Sequence, residues 1–204
     1  MGDLIKEIER FTRKAHKGQR QATGKPYIQH PLEVASLLKK WKQEDEVISA
    51  GILHDTVEDC DISLSEIKKK FGKRVAFLVD GMSWTLVKRG GKQVKDEPAT
   101  KQKFVDYSKK DPSLVLIKLA DMISNIPNIR AKSQRKFIIE KAYPRAKSFW
   151  LPFMKAVGFS EQAKRIEKEY NRYNRKRVNS VLYDYISKKD LKKIRNNLKH
   201  EGMK

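Results

Sequence analysis

Only one cysteine, Cys60, occurs among the 204 residues. A single cysteine excludes a disulfide within the chain, and a reducing compartment is its natural location. Residues 1–7 contain no apolar segment of the signal-peptide kind, and no uninterrupted apolar run reaches the length of a membrane span. We therefore expect a cytoplasmic protein that makes no contact with a membrane.

Acidic residues are few relative to basic ones: 25 Asp and Glu stand against 46 Lys and Arg, which gives a formal net charge of +21. A positive field of this kind raises the rate at which a protein encounters anionic ligands. One small anion does not require so much charge, however. The excess leaves open a second interpretation, in which the protein contacts RNA, DNA or a ribosome through phosphate groups.

Apolar residues recur with a helical period along most of the chain, which predicts an all-α fold. Ser63 and Glu66 form a capping box at the start of one expected helix. Residues 86–98 interrupt the pattern, and Gly90-Gly91 within them predict a small hairpin or a mobile flap. The expected helices cover the amino-terminal segment and residues 31–41, 44–58, 64–72, 73–84, 99–109, 113–128 and 133–157.

The sequence changes character near residue 159, so we expect a division into residues 1–158 and a basic extension, residues 159–204. Lysines and arginines in the extension, such as those at 175–177, are interleaved with tyrosines, such as Tyr173. Apolar residues at helical spacing predict that the extension is helical. It is either a solvated helical pair packed against the rest of the protein or an appendage that contacts nucleic acid or a ribosome.

The most informative segment is His54-Asp55-Thr56-Val57-Glu58-Asp59, which follows an apolar run at residues 47–53. If one helix continues through it, Glu58 lies four residues beyond His54, and Asp59 lies four beyond Asp55. Side chains at that spacing share a helix face. An imidazole and three carboxylates at the end of an apolar helix are costly unless a cation meets them. The segment therefore predicts a metal site.

Further ligands are expected from two distant positions. His30 stands at the predicted start of a helix, and Asp121 ends a strongly apolar segment. Together with His54 and Asp55 they form a set of two nitrogen and two oxygen donors. Such a set suits Mn, Fe or Zn, whereas Ca and Mg prefer oxygen ligands throughout. Cys60 has no histidine at an obvious pairing distance except these candidates, so we expect it to be a bystander.

Several motifs also occur along the chain in a characteristic order. They are His16-Lys17-Gly18-Gln19, Gly24-Lys25-Pro26-Tyr27-Ile28-Gln29-His30-Pro31, the segment 54–59, Phe71-Gly72-Lys73-Arg74-Val75-Ala76, Val79-Asp80-Gly81, and Lys118-Leu119-Ala120-Asp121 with Asn125. Together they resemble the HD-type hydrolase domain of RelA/SpoT proteins, over residues from about 10 to 158. The compact length is similar to that of the small alarmone hydrolases, which carry this domain without a synthetase.

The resemblance implies a helical HD-domain bundle that holds a manganese ion. It also implies an enzyme that removes the 3′-pyrophosphate from guanosine tetra- and pentaphosphate, with Glu58 and Asp59 handling the attacking water. The metal ligands that it implies are His30, His54, Asp55 and Asp121. A synthetase activity is not expected, because no further segment of the size of a domain is left to host one.

Five more residues are candidates for substrate contact. Asn125 lies one helical turn after Asp121, and the resemblance favours contact with the substrate. Lys118 is able to reach either the substrate phosphates or the neighbouring carboxylates. Arg20 and Lys25 flank the loop that leads to His30 and are expected to form a cationic rim. The last candidate, Tyr143, matches a region in which relatives carry aromatic residues that face the base, although a tyrosine at such a position is more often simply packed.

Three positions depart from the family pattern. Gln21 and Pro127 stand where relatives commonly have basic residues, and Trp84 stands where they usually have lysine. The predicted metal ligands are intact, whereas the side that recognises the base is altered. The sequence therefore leaves open another substrate, such as an adenosine alarmone or NADPH. It also leaves open a basic RNA- or ribosome-binding protein whose hydrolase activity is secondary.

Overall fold

The computed structural model describes residues 2–172 and 180–200, and these are almost entirely helical. Fourteen α-helical segments and two short 3₁₀ turns, Lys132–Gln134 and Leu182–Asp184, lie in these two ranges. The helices are α1 (Gly2–Ala15), α2 (Gln29–Lys40), α3 (Asp45–Leu53), α4 (Thr56–Asp59), α5 (Leu64–Phe71), α6 (Lys73–Met82), α7 (Glu97–Lys110), α8 (Ser113–Ser124), α9 (Ile126–Arg130), α10 (Arg135–Phe137), α11 (Tyr143–Arg145), α12 (Leu151–Ala156), α13 (Ser160–Tyr170) and α14 (Lys188–His200). The all-α class is confirmed.

A two-stranded hairpin interrupts the helices where the sequence predicted a hairpin or a flap. Strand β1 (Leu86–Arg89) pairs antiparallel with β2 (Lys92–Lys95). Gly90 and Gly91 join the strands with φ angles of 57° and 77°. Two consecutive residues at positive φ are typical of the tight turn that matches the twist of a hairpin, and glycine adopts that conformation without steric cost.

Helix α8 lies at the centre of the bundle, in contact with α2, α3, α6 and α7. Its residues 114–117 are all completely buried, as expected for a helix that is apolar on every side. Helix α3 packs against both α2 and α8. A Cβ atom added at Gly51 would lie 2.5 Å from Cδ1 of Leu38, so the absence of a side chain there permits the close approach of α3 to α2.

The single helix expected over residues 44–58 is wrong, because α3 ends at Leu53 and α4 begins at Thr56. Two side chains form hydrogen bonds with backbone carbonyl groups at the end of α3. Thr56 Oγ1 donates to the Leu53 carbonyl at 2.7 Å, and His54 Nδ1 lies 2.9 Å from the Gly51 carbonyl. Side chains that bond to nearby carbonyls compete with the backbone hydrogen bonds of a continuing helix.

Residues 135–156 form one nearly continuous helical rod, close to the expected 133–157. Two segments, Ile138–Ala142 and Ala146–Trp150, have the wider π-helical hydrogen bonding. Pro144 and Pro152 follow these segments. Proline lacks a backbone N–H and its ring clashes with the carbonyl four residues earlier, so the widened turns accommodate the two prolines.

The described part of the extension is helical, as predicted, and it is continuous with the main core. Helix α13 contacts α8, α9 and α12, while α14 contacts α7 and α12. Ile166, Leu191 and Ile194 are at most 4% exposed and belong to the same apolar cluster as the central helices. Tyr173 and the basic residues 175–177 lie outside the described residues. Within the described ranges, no helix is both long and apolar enough to cross a bilayer.

Candidate active site

Four of the predicted site residues converge although they are far apart in the sequence. Nε2 of His30 lies 3.3 Å from Nε2 of His54 and 3.4 Å from Oδ1 of Asp121. Oδ2 of Asp55 lies 3.0 Å from Nε2 of His54 and 3.5 Å from that of His30. Donor atoms of His30, His54 and Asp121 all lie within 4.8 Å of one another. The structure thus brings the proposed ligand set to one point.

Three packed helices produce this convergence. His30 lies in the first turn of α2, His54 directly follows α3, and Asp121 lies on α8. All three residues are at least 90% buried. Because α2, α3 and α8 contact one another pairwise, apolar packing of the core determines the separation of the polar groups at its edge.

Hydrogen bonds on the outer side orient both imidazoles. Nδ1 of His54 donates to the Gly51 carbonyl at 2.9 Å, since a carbonyl can only accept. Nδ1 of His30 lies 2.9 Å from Oγ of Ser124, whose hydroxyl reaches Oε2 of Glu33 at 3.1 Å. With a proton on each Nδ1, the neutral rings would direct their Nε2 lone pairs at the common point once a metal ion displaces any proton there. Two imidazole lone pairs and two carboxylates around one point fit a divalent transition metal ion.

The electrostatics keep both carboxylates ionised. Burial opposes ionisation of Asp55, but the imidazoles of His54 and His30 hold its pKa below the usual range. Burial likewise opposes ionisation of Asp121, and the Lys118 ammonium holds the pKa of that carboxyl well below its usual value. The pKa of His54 rises to about 9, because the carboxylates of Asp55 and Asp121 outweigh the effect of burial. The cluster is therefore suited to a cation.

The two acids of α4 differ in their surroundings. Oε1 of Glu58 accepts from the Trp84 backbone N–H at 2.7 Å, and Oε2 lies 3.3 Å from Nζ of Lys95. Burial raises the pKa of Glu58. Asp59 is exposed, and its Oδ2 accepts from the Tyr27 hydroxyl, which also donates to Asp55 at 2.6 Å. Burial and the charge of Asp55 raise the pKa of Asp59.

A cavity of about 490 Å³ opens above the cluster. His30, Asp55 and Asp121 contribute to its floor. The remainder of its lining is mixed: amide side chains, a few cations and a broad apolar surface. That volume lies within the range that accommodates a small organic ligand such as a nucleotide.

A second cavity of about 140 Å³ adjoins the first. Glu58, Glu97 and Lys101 line it. The residues that both cavities share are Asp55, Trp84, Lys118, Asp121, Arg145 and Trp150. The shared wall consists of the charged groups nearest the cluster and two indole rings.

Two cations flank the indole of Trp84 in this wall. Nζ of Lys95 lies 5.2 Å and Cζ of Arg145 lies 5.0 Å from the ring centroid. These distances are those of cation–π contacts. Nε of Arg145 also donates to Glu97 at 2.8 Å. Since Lys95 belongs to β2 and reaches Glu58, the hairpin is tied to the candidate site.

The residues predicted to contact substrate have different placements. Asn125 lines the large cavity and donates to Oδ1 of Asp121 at 2.6 Å. Lys118 binds Oδ2 of Asp121 at 2.8 Å while lining both cavities. Arg20 also lines the large cavity, whereas Lys25 is exposed and lines neither.

The structure corrects the expectation for Tyr143. Its side chain is only 1% exposed and is absent from the lining of both cavities. Its ring instead packs edge to face against Tyr170, with centroids 6.3 Å apart. Tyr170 lines the large cavity, as does Phe137.

Sequence reasoning missed Tyr170, Arg145 and Lys95. Arg145 stands two residues after Tyr143, and Lys95 follows the Gly-Gly turn, but neither position has a chemical signal of its own. Tyr170 lies in the extension, outside the resemblance. Its position at helical spacing from Ile166 was visible, yet that spacing predicts packing rather than contact with a cavity.

Cys60 has a partner that the sequence did not reveal. Its Sγ lies 3.2 Å from Nδ1 of His16, so the expectation of no histidine at pairing distance is wrong. His16 is 3% exposed and stacks on Tyr27 with ring centroids 4.7 Å apart. Burial raises the pKa of the Cys60 thiol to about 11, so the thiol stays protonated at neutral pH and is a poor nucleophile.

Several curated relatives match more than half of this chain. A guanosine-3′,5′-bis(diphosphate) 3′-pyrophosphohydrolase of Aquifex aeolicus is 40% identical over 127 residues, 60% of this chain and 18% of that protein. The bifunctional (p)ppGpp synthase/hydrolase SpoT of Escherichia coli is 37% identical over 128 residues, 61% of this chain and 18% of that protein. A GTP pyrophosphokinase of Streptomyces coelicolor is 36% identical over 135 residues, 65% of this chain and 16% of that protein. The chain thus spans less than a fifth of each of these relatives.

A solved structure of a metazoan ortholog of SpoT, described as hydrolysing ppGpp, shares the fold with a TM-score of 0.54. The likeness covers 97% of both chains at 18% sequence identity. Residues 9–150 match the family described as HD domain. They include all four residues of the cluster. The chain belongs to the HD-domain family, as its motifs predicted.

Proposed function

We propose that this protein is a manganese-dependent phosphohydrolase that removes the 3′-pyrophosphate from guanosine tetra- and pentaphosphate. The observation that carries the proposal is the convergence of His30, His54, Asp55 and Asp121 at the floor of a cavity large enough for a nucleotide. The names of relatives that match about 60% of the chain support the substrate. Fold similarity to a ppGpp-hydrolysing protein is consistent with it.

The four residues of the cluster would hold the metal. Two imidazole nitrogens and two carboxylates favour Mn, Fe or Zn over Ca and Mg, and the family resemblance favours Mn. A divalent ion there would supply Lewis acidity, which lowers the pKa of water and offsets negative charge on a phosphate. Asn125 and Lys118 bind the two carboxylate oxygens of Asp121 and so fix its orientation.

Glu58 is the residue best placed to accept a proton from water. It lines the small cavity beside Asp55 and Asp121, and burial raises its pKa toward the range useful to a general base. In the reaction, the water oxygen bonds to the phosphorus attached to the 3′ oxygen, and that phosphorus–oxygen bond breaks. Glu58 takes one proton of the attacking water, and the departing 3′ oxygen takes a proton from solvent water. Asp59, which lines neither cavity, would act through Tyr27 on the orientation of Asp55.

The cations of the shared wall would bind the pyrophosphate. Lys118 and Arg145 line both cavities, and planar guanidinium groups bind phosphate oxygens in pairs. Lys95 approaches from the hairpin next to Trp84. Trp84 replaces the lysine usual in the family, so Lys95 and Arg145 would restore the positive charge that this replacement removes.

The same reaction on an adenosine nucleotide is the second candidate. Gln21 stands where relatives carry a basic residue, and its Oε1 accepts from Nδ2 of Asn128 at 3.3 Å. Both amides line the large cavity. Asn and Gln side chains pair well with the amino and ring nitrogens of adenine.

The names of these three relatives do not refer to nucleic acid or a ribosome.

A nucleotide panel tests the proposal. Purified protein, with Mn²⁺ or with a chelator, is incubated with guanosine and adenosine 3′,5′-bisdiphosphates and with NADPH, and pyrophosphate and orthophosphate are measured separately. We expect Mn-dependent release of pyrophosphate from the guanosine compound. Release of orthophosphate from NADPH alone, or no turnover of any of these nucleotides, would contradict the proposal. A preference for the adenosine compound would establish the second candidate.

A further inference from the structure

We propose that Tyr170 forms a stacking surface for the nucleobase of the substrate. The segment that follows the HD domain would then contribute to how tightly the nucleotide binds. This inference rests on the proposed function, because it assumes that the cavity above the cluster takes a nucleotide. It assigns a role in specificity to a residue beyond residues 9–150, which match the family.

Tyr170 lies in the last turn of α13 and reaches back over the HD domain. Its half-buried side chain lines the large cavity together with Met122, Ile129 and Phe137. Helix α13 contacts α8, on which Asp121 lies, and α9, on which Ile129 lies. A residue of the extension therefore shares one cavity with the predicted metal ligands.

Two neighbours fix the position of the Tyr170 ring. The buried ring of Tyr143 meets it edge to face at a centroid distance of 6.3 Å and an interplanar angle of 68°. The adjacent Glu169 is 5% exposed and accepts two hydrogen bonds from Arg130, at 2.8 and 2.9 Å. Arg172 binds the same carboxylate at 3.0 Å. This pairing holds the end of α13 against α9, so the ring has a defined place before a ligand enters.

The chemistry of the cavity indicates which part of a nucleotide would meet this ring. The cations Lys118 and Arg145 lie in the wall shared with the small cavity, which suits phosphates. The same lining also contains the apolar residues Met122, Ile129, Phe137, Ile138 and Ala142. An apolar, aromatic surface cannot compensate phosphate charge, whereas every nucleobase has a π face that stacks on tyrosine. Burial raises the pKa of Tyr170, so its phenol stays neutral.

The test compares Tyr170→Ala, Tyr170→Leu and Tyr170→Phe in the Mn-loaded full chain. We expect Tyr170→Ala to raise KM for the nucleotide about 10- to 100-fold, the usual effect of losing one base-stacking ring, with kcat changed less than about threefold. Tyr170→Leu should resemble the alanine variant, and Tyr170→Phe should resemble the wild type. Tyr183→Ala is the matched control, because Tyr183 belongs to the same extension and is 61% exposed.

Product binding separates stacking from a structural role. By calorimetry, Tyr170→Ala should weaken binding of guanosine 5′-diphosphate by the same factor as KM, while inorganic pyrophosphate should bind as to the wild type. Parallel weakening of both ligands, or an unchanged KM in the alanine variant, would overturn the inference. So would wild-type behaviour of Tyr170→Leu. If the wild type turns over no nucleotide, the proposed function fails, and the calorimetric comparison still decides whether Tyr170 contacts a nucleoside.

Discussion

The floor of the large cavity and its apolar lining differ in the chemistry of their side chains. On the floor, His30 and Asp121 are buried polar groups, and they and the adjoining His54 each have a second partner that fixes the orientation of the side chain. At the apolar end, Tyr170 and Phe137 lie among aliphatic side chains. Buried polar groups depend on all their hydrogen bonds, whereas an apolar surface tolerates ligands of similar shape. The floor is therefore suited to fixed chemistry, and the other end to selection among nucleotides.

The two regions also differ in their origin along the chain. All four residues of the cluster lie within the part that matches the HD-domain family. Tyr170 comes from the extension, and Gln21, which also lines the large cavity, departs from the family pattern. Substitutions on the floor should therefore change metal binding and turnover. Substitutions at the other end should change KM and base preference.

The largest effect is expected for Asp121→Asn, which removes a charged ligand candidate. Bound manganese should fall from about one ion per chain to almost none. The rate of hydrolysis should fall more than about 100-fold, because mutation of a residue that only orients a metal ligand already costs up to about 100-fold. Metal analysis after desalting and a pyrophosphate assay provide the measurement. Asp106→Asn, in a side chain that pairs with Gln102 on the surface of α7, should leave both unchanged. Full metal content in Asp121→Asn would remove Asp121 from the ligand set.

Glu58→Gln should separate proton transfer from metal binding. We expect kcat to fall roughly 10²- to 10⁴-fold, the usual contribution of a general base, with metal content and KM retained. Asp59→Asn is the matched control, and because Asp59 is exposed and lines neither cavity its kcat should fall less than about tenfold. Equal losses in the two variants would mean that the acids act as a pair.

Ser124→Ala tests the outer hydrogen bonds of the floor. The change removes the hydroxyl that links His30 to Glu33, so Mn²⁺ affinity should fall about 10- to 100-fold, as for other residues that orient a ligand. Activity should return when Mn²⁺ is raised. Ser108→Ala, which removes an equally buried hydroxyl bonded to the Phe104 carbonyl, should bind Mn²⁺ like the wild type. A Ser124→Ala protein with unchanged affinity would show that packing alone orients His30.

The smallest effect is expected for Gln21→Ala at the other end of the cavity. The ratio of kcat/KM values for guanosine and adenosine substrates should change by roughly 10-fold, which corresponds to one lost hydrogen bond, with kcat and metal content retained. Lys25→Ala, in an exposed side chain of the same loop, should leave the ratio unchanged. An altered metal content in Gln21→Ala would contradict the idea that metal binding and base preference depend on different residues of the cavity.

Local pattern predicted most of the helices and the hairpin. The Ser63 half of the predicted capping box is present, since Ser63 Oγ accepts from the Glu66 backbone N–H at 3.1 Å. The Gly90-Gly91 pair marked the turn between the two strands. These features depend on neighbours in the sequence, so they could be read from it. Acids and histidines are costly to bury beside apolar helices unless a cation meets them. This cost was the reason that His30 and Asp121 could be predicted as metal ligands.

Features that depend on packing between distant segments could not be predicted. The contact between Cys60 and His16 requires the segments after α1 and α4 to meet. The burial of Tyr143 follows from the docking of α13, which covers it with Tyr170. Helical spacing cannot distinguish a tyrosine that faces the core from one that faces a cavity at the edge of the core, and for that reason the sequence could not decide between packing and base contact for Tyr143.

The end of α3 at Leu53 has a consequence for the two residues that follow it. In an unbroken α-helix, successive side chains leave the axis about 100° apart, so sequence neighbours diverge. Here the backbone of Asp55 turns to φ −97° and ψ −7°, and its carboxylate comes within 3.0 Å of the preceding imidazole. A single dipeptide thus supplies half of the donor set. Assembly of the centre then requires tertiary structure to deliver only two more side chains, one from α2 and one from α8.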